Sequence, residues 1–346
     1  MKTFFVSASA STALLLGFGT ALTAVAREVD AAEATAAVEE SLDGARYVAM
    51  GSSYAAGPLL PPGKPGAPAR CGQSLNNYPT LLAERFGMVL VDRSCSGAMT
   101  SHILGPWGDI PPQIDAVTAD TRLVTVTIGG NDLNYVGNLF NATCAFNAKA
   151  LTASGAKPKP CAPVKVPTEA DYVRDEAQLN EIARRVRAAA PQARLVFVQY
   201  LSPLPPAGSL CAVTPVSEDN ARIIREIGRR LAEITGRVAL ANGALVIEMN
   251  QASATHTPCD PEPWMIGSPQ GYDGKQGLQW HLNKAGMQAT ADGIAYWLIQ
   301  AGTTPGTPIT PAPEATPEQP AAPAPAPTPA PEEGMAPVII PEADAP

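Results

Sequence analysis

Short runs of apolar and β-branched residues alternate along the chain with segments whose apolar positions recur every three or four residues. Tyr47–Met50, Met88–Val91, Leu123–Ile128, Leu195–Val198 and Ala244–Ile247 are runs of the first kind. They lack strict in-out alternation, which predicts strands buried on both faces. Three sets follow the second pattern: Leu179, Ile182, Val186 and Ala189; Ile224, Ile227, Leu231, Ile234 and Val238; and Met287, Ala291, Ile294 and Leu298. Each set lays one apolar stripe along a helix. Strands alternating with helices predict an α/β fold, a mainly parallel sheet covered on both faces as a three-layer α/β/α sandwich, in a single domain over 46–301. In such sheets, sites form beyond the carboxyl ends of the strands.

The two ends of the chain do not fit this pattern. Residues 1–26 open with Lys2, continue as an apolar stretch and end on the small residues Ala24, Val25 and Ala26, which predicts a cleaved secretory signal peptide. Residues 27–45 are rich in Ala and Glu and are expected to form a flexible lead-in. The tail, 302–346, holds 14 of the 36 prolines and is expected to be a disordered Pro/Ala-rich extension. A cell-wall contact through this tail and a merely solvated terminus are equally compatible with that composition.

Of the formal charge of -8, residues 1–26 carry +1, the lead-in -5 and the tail -6, leaving +2 on 46–301. A nearly neutral body lacks the broad basic surface that a phosphate backbone requires, so nucleic acid is not an expected partner. The arginines of two helices (Arg184, Arg185 and Arg187; Arg222, Arg225, Arg229 and Arg230) are interleaved with Glu181, Glu226 and Glu233 and read as solvated helix faces.

The six cysteines, Cys71, Cys95, Cys144, Cys161, Cys211 and Cys259, form no CxxC pair and are accompanied by only three histidines. That favours disulfides in an oxidising compartment over a metal site. The count alone leaves the connectivity open.

Candidate chemistry gathers at three consecutive strand ends. The first ends in Gly51-Ser52-Ser53-Tyr54-Ala55-Ala56-Gly57, the second in Ser94-Cys95-Ser96-Gly97-Ala98-Met99-Thr100, and the third in Thr127-Ile128-Gly129-Gly130-Asn131-Asp132. Taken singly, each is an ordinary turn. Together they offer a serine hydroxyl, a glycine NH and an amide side chain suited to a developing oxyanion. A serine nucleophile needs a base. Among His102, His256 and His281, the last enters the C-terminal amphipathic helix directly after Trp280.

In this order the blocks resemble the SGNH (GDSL-type) hydrolases over roughly 46–300, and the stretch 71–87 is similar to that of secreted actinobacterial esterases and lipases with a Ser-His dyad. The resemblance implies Ser53 as nucleophile, His281 as base, and an oxyanion hole of the Ser53 NH, the Gly97 NH and the Asn131 amide. It implies a serine esterase or lipase acting on carboxylic esters through an acyl-enzyme, with no cofactor and no metal.

Two positions depart from the family's pattern. Ser52 stands where Asp is usual, and Leu278 stands where the acid that orients the histidine would be. By analogy with the dyad members, the backbone carbonyl of Leu278 or a close neighbour is the expected acceptor for His281, with Asp273 as the alternative. The same members imply the pairs Cys71–Cys95, Cys144–Cys161 and Cys211–Cys259. The expected molecule is a secreted monomer acting on a small-molecule or lipid ester. Two alternatives stay open: a polysaccharide deacetylase-type esterase, or a non-catalytic surface binding module on the same scaffold.

Overall fold

A computed structural model of the chain describes residues 40–305 apart from 156 and 158. The expected leader over 1–26, residues 27–39 of the lead-in and the tail from 306 onward lie outside the described residues. Five strands form the main sheet: β1 (Arg46–Gly51), β2 (Val89–Asp92), β3 (Thr121–Thr127), β4 (Arg194–Val198) and β5 (Leu245–Ile247). Their order is β2-β1-β3-β4-β5, and every neighbouring pair is parallel. Each strand falls on one of the apolar runs. Within the sheet, β1, β3 and β4 are buried along most of their length, so neither face tolerates polar alternation. The edge strands β2 and β5 are not buried on both faces as predicted: Val89 is exposed and only Ile247 of β5 is buried, because an edge strand lacks a neighbour on one side.

Among the described residues, eight α-helices accompany the strands: α1 (Ser53–Ala56), α2 (Tyr78–Phe86), α3 (Thr100–Leu104), α4 (Tyr135–Ala153), α5 (Glu169–Ala189), α6 (Glu218–Ala241), α7 (Met249–Ala252) and α8 (Lys284–Gln300). Helix α2 packs on α8, while α5 packs on α3 and α6, and α4 on α6. The strand order explains this division. The crossover from β1 to β2 runs one way along the sheet and the later crossovers run the other, so right-handed connections place the two helix groups on opposite faces. The result is the three-layer α/β/α arrangement.

The predicted stripes of α6 and α8 are buried in full. On α5, Leu179, Ile182 and Val186 are buried but Ala189 is exposed, because the helix ends there and Ala190 turns inward instead. Side-chain caps fix where the long helices begin: Thr168 accepts from the Asp171 NH, Ser217 from the Asn220 NH and Asn283 from the Gly286 NH. The arginine faces are ion-paired at the surface, Arg184 and Arg185 to Glu181 and Arg229 to Glu226 and Glu233. No described helix is long and apolar enough to cross a membrane. Glu40–Ser41 pairs in parallel with Thr303–Thr304, which ties the two ends of the described chain together.

Candidate active site

The direction of strand succession reverses between β1 and β3, and an open parallel sheet splays into a crevice at such a point. Gly51, the last residue of β1, closes that junction from below. Its φ is +151, and a Cβ there would stand 2.6 Å from the Thr127 carbonyl oxygen of β3. The Gln113 side chain brackets the same residue, its Oε1 accepting from the Gly51 NH at 2.7 Å and its Nε2 donating to the Gly51 carbonyl at 3.1 Å. The Ser52 NH donates to the Thr127 carbonyl at 2.9 Å. The chain then turns at once into α1, so Ser53 is its first residue.

Ser53 Oγ and His281 Nε2 are 2.7 Å apart, although 228 positions separate the two residues in sequence. His281 Nδ1 lies 2.8 Å from the carbonyl oxygen of Gln279. A carbonyl can only accept, so Nδ1 carries the ring proton. Nε2 therefore presents its lone pair to the Ser53 hydroxyl. This is the tautomer a general base requires. Both side chains are buried, Ser53 at 5% and His281 at 2% exposure. Burial pulls the imidazole down from 6.5 to about 4, against a smaller upward pull from the Gln279 carbonyl, so the ring is neutral at physiological pH.

The orienting carbonyl is thus that of Gln279 and not of Leu278. The Leu278 carbonyl instead accepts the backbone NH of His281 at 3.2 Å. Trp280, with φ +62, turns the backbone between Gln279 and His281. Asp273 takes no part: its exposed carboxylate accepts from the Lys275 NH at 3.0 Å and pairs with the Lys275 ammonium at 3.1 Å. The other two histidines are engaged elsewhere. His102 accepts from the Met99 NH and stacks on Trp107, and His256 stacks on Trp264.

The second and third strand ends are gripped together. Asn131 Nδ2 donates to the Ala98 carbonyl at 2.8 Å, which leaves its second amide hydrogen available. Asp132 accepts from the Thr100 NH at 3.0 Å and from the Thr100 hydroxyl at 2.5 Å. Gly97, at φ +82, sits inside the turn closed by the Ala98 NH and the Cys95 carbonyl. Among the described residues, neither the Ser53 NH nor the Gly97 NH has a protein acceptor. The paired glycines before Asn131 reflect close packing: a Cβ at Gly130 would strike the Tyr200 ring at 2.6 Å, and one at Gly129 would meet the Asp175 carboxylate at 2.9 Å. Ser52, in the place of the usual Asp, is buried with its Oγ 2.6 Å from the Tyr200 hydroxyl.

Three disulfides, Cys71–Cys95, Cys144–Cys161 and Cys211–Cys259, match the implied pairing. The first ties the Pro-rich loop after α1 to the Gly97 turn, where the Ser96 NH and hydroxyl both bond the Cys71 carbonyl. Sequence reasoning missed the Gln113 bracket, the Asp132–Thr100 tie and the Tyr54 hydroxyl, which donates to the Trp280 carbonyl at 2.9 Å. Of these, only Asp132 carried a signal, as a carboxylate directly after Asn131.

The chain is 31% identical over 232 residues to Lipase 2 of Streptomyces coelicolor, covering 64% of this chain and 77% of the relative. It is 28% identical over 221 residues to a lipase of Streptomyces rimosus, covering 63% and 75%. Among solved structures, phospholipase A1 from Streptomyces albidoflavus NA297 shares the fold with a TM-score of 0.56 at 22% identity, over 73% of this chain and 99% of that one. Residues 49–289, the span that carries the serine, glycine, asparagine and histidine blocks, match the GDSL-like lipase/acylhydrolase family model, so the chain belongs to that family of carboxylic ester hydrolases.

Proposed function

We propose that the protein is an exported serine esterase or lipase that hydrolyses carboxylic esters through an acyl-enzyme on Ser53. The observation that carries this reading is the 2.7 Å contact between Ser53 Oγ and a His281 Nε2 whose ring is fixed by the Gln279 carbonyl. As Ser53 Oγ bonds to the substrate carbonyl carbon, its proton passes to Nε2, and the carbonyl π electrons move to oxygen. The Ser53 NH, the Gly97 NH and the free hydrogen of the Asn131 amide receive that oxyanion. Collapse expels the alcohol, which takes the proton from His281. Water then attacks the acyl carbon, giving its proton to Nε2, and departure of the acid returns the proton to Ser53.

A backbone carbonyl suffices as orienter because it selects the tautomer and holds the ring. It lends the transient imidazolium less charge stabilisation than a carboxylate would. Export is supported by the leader-like residues 1–26 and the three disulfides. The naming of its relatives as lipases favours acyl esters of lipid or short-chain type over glycan acetates.

The test is a fluorophosphonate ester probe on the folded protein, with the adduct mapped by mass spectrometry and Ser53→Ala and His281→Ala run alongside. Labelling of Ser53 that either substitution abolishes is the expected result. An unlabelled, folded wild type would instead favour a binding module on the same scaffold.

A further inference from the structure

We infer that Tyr54 is a positioning residue for this reaction, its hydroxyl clamping the Trp280 peptide so that the His281 imidazole is held against Ser53. The inference rests on the proposed Ser53–His281 chemistry and assigns a role to a residue outside it.

Tyr54 is the covalent neighbour of Ser53 in α1, and its buried hydroxyl donates to the carbonyl oxygen of Trp280, the covalent neighbour of His281, at 2.9 Å. One side chain thereby links the nucleophile's helix to the base's loop. The two rings also touch, with Tyr54 and His281 centroids 5.3 Å apart and tilted by 53°.

The carbonyl that Tyr54 holds belongs to a residue in an unfavourable conformation. Trp280 has φ +62, a left-handed geometry that a bulky side chain adopts only when its surroundings impose it. The residue is tethered on every side. Its NH donates to the Ile266 carbonyl at 2.8 Å, and its indole Nε1 donates to Thr143 Oγ1 at 3.2 Å. The Ile266 NH in turn donates to the His281 carbonyl at 2.8 Å.

The turn at Trp280 lies between the Gln279 carbonyl that orients Nδ1 and the His281 backbone that carries the ring. Without the Tyr54 hydroxyl, a buried carbonyl loses its only hydrogen bond among the described residues, and relaxation of the turn toward negative φ becomes the way to recover one. That relaxation moves Gln279 and His281 relative to each other and to Ser53. Displacements on this scale matter more to a transition state than to substrate binding.

Tyr54→Phe removes the hydroxyl and keeps the ring. Tyr47→Phe is the matched control, since it removes an equally buried bond, Tyr47 to Thr125 Oγ1 at 2.7 Å, inside the sheet. The expected result for Y54F is a fall in kcat of about 10- to 100-fold with KM held within about two-fold, and a parallel fall in the fluorophosphonate inactivation rate. Y47F, equally folded at the assay temperature, keeps its kcat.

An active wild type with a Y54F kcat no lower than that of Y47F overturns the clamp and leaves the esterase reading standing. An inert wild type overturns both. If Y54F does not accumulate as folded protein, Thr143→Val decides, because it removes the other side-chain tether of Trp280. A lower kcat at constant KM then supports the clamp, and an unchanged kcat overturns it.

Discussion

Acidification tests the buried imidazole most directly. His281 is held neutral by desolvation, with its pKa lowered from 6.5 to about 4, and only the neutral ring can accept the Ser53 proton. At about pH 5.5, a group titrating near 4 is about 97% neutral, whereas one left at 6.5 is about 9% neutral, a difference of roughly tenfold in rate. The profile of kcat/KM for a non-ionising alkyl ester, followed by product chromatography, should therefore run flat from about pH 8 to about pH 5.5 and bend near 4.

Stability sets the window. The folded-state pKa lies below the unfolded one, so the unfolded chain takes up the proton first as pH falls. The associated stability is fully present above 6.5 and is lost toward 4, on the order of 3 kcal/mol in all, of which less than half is gone at about pH 5.5. A domain with about 5–15 kcal/mol to draw on stays folded there. Asp273→Asn should leave the bend in place, because that carboxylate faces Lys275 rather than the imidazole. A bend near 6.5 in folded wild type, or one displaced by Asp273→Asn, would refute the buried dyad as described.

Two further outcomes follow from the same site. Asn131→Ala should lower kcat by about 10²–10³ with little change in KM, since it removes the proposed oxyanion donor and its tie to Ala98; a loss of less than about threefold in steady-state kinetics would exclude the amide from that role. Asp175, buried beneath Gly129 with neither carboxylate oxygen hydrogen-bonded among the described residues, has its pKa raised from 3.8 to about 8, first by desolvation and then by Asp132. Its stabilising contribution is present below 3.8 and lost as pH rises through 8. Asp175→Asn should therefore flatten the dependence of Tm on pH and gain about 2 kcal/mol over wild type near pH 9, whereas parallel Tm curves would contradict the buried acid.

Much of the fold was legible because burial on both faces leaves a direct mark on composition. The five apolar runs fall on the five strands, although only β1, β3 and β4 are buried along most of their length, and the stripes on α6 and α8 are the buried faces of those helices. Ala189 was misplaced because a periodic pattern does not show where a helix stops. Ser53, Gly97, Asn131 and His281 were singled out as candidates by the resemblance to the family, on blocks that follow strands or precede the last helix. The structure then placed Ser53 and His281 in hydrogen-bonding contact.

What orients the histidine was not legible. A backbone carbonyl is present at every position, so Leu278 and Gln279 are equivalent acceptors as text, and only the left-handed turn at Trp280 separates them. The Tyr54 hydroxyl is hidden for the same reason, since its acceptor is main chain 226 positions away. The sequence by itself determined the alternation of strands and helices and the candidate side chains at the strand ends, because both depend on side-chain type and local period. Tertiary structure alone decided the tautomer and depressed pKa of His281 and the bond from Tyr54 to the Trp280 carbonyl, because hydrogen-bond direction and desolvation arise only when distant backbone is packed around a side chain.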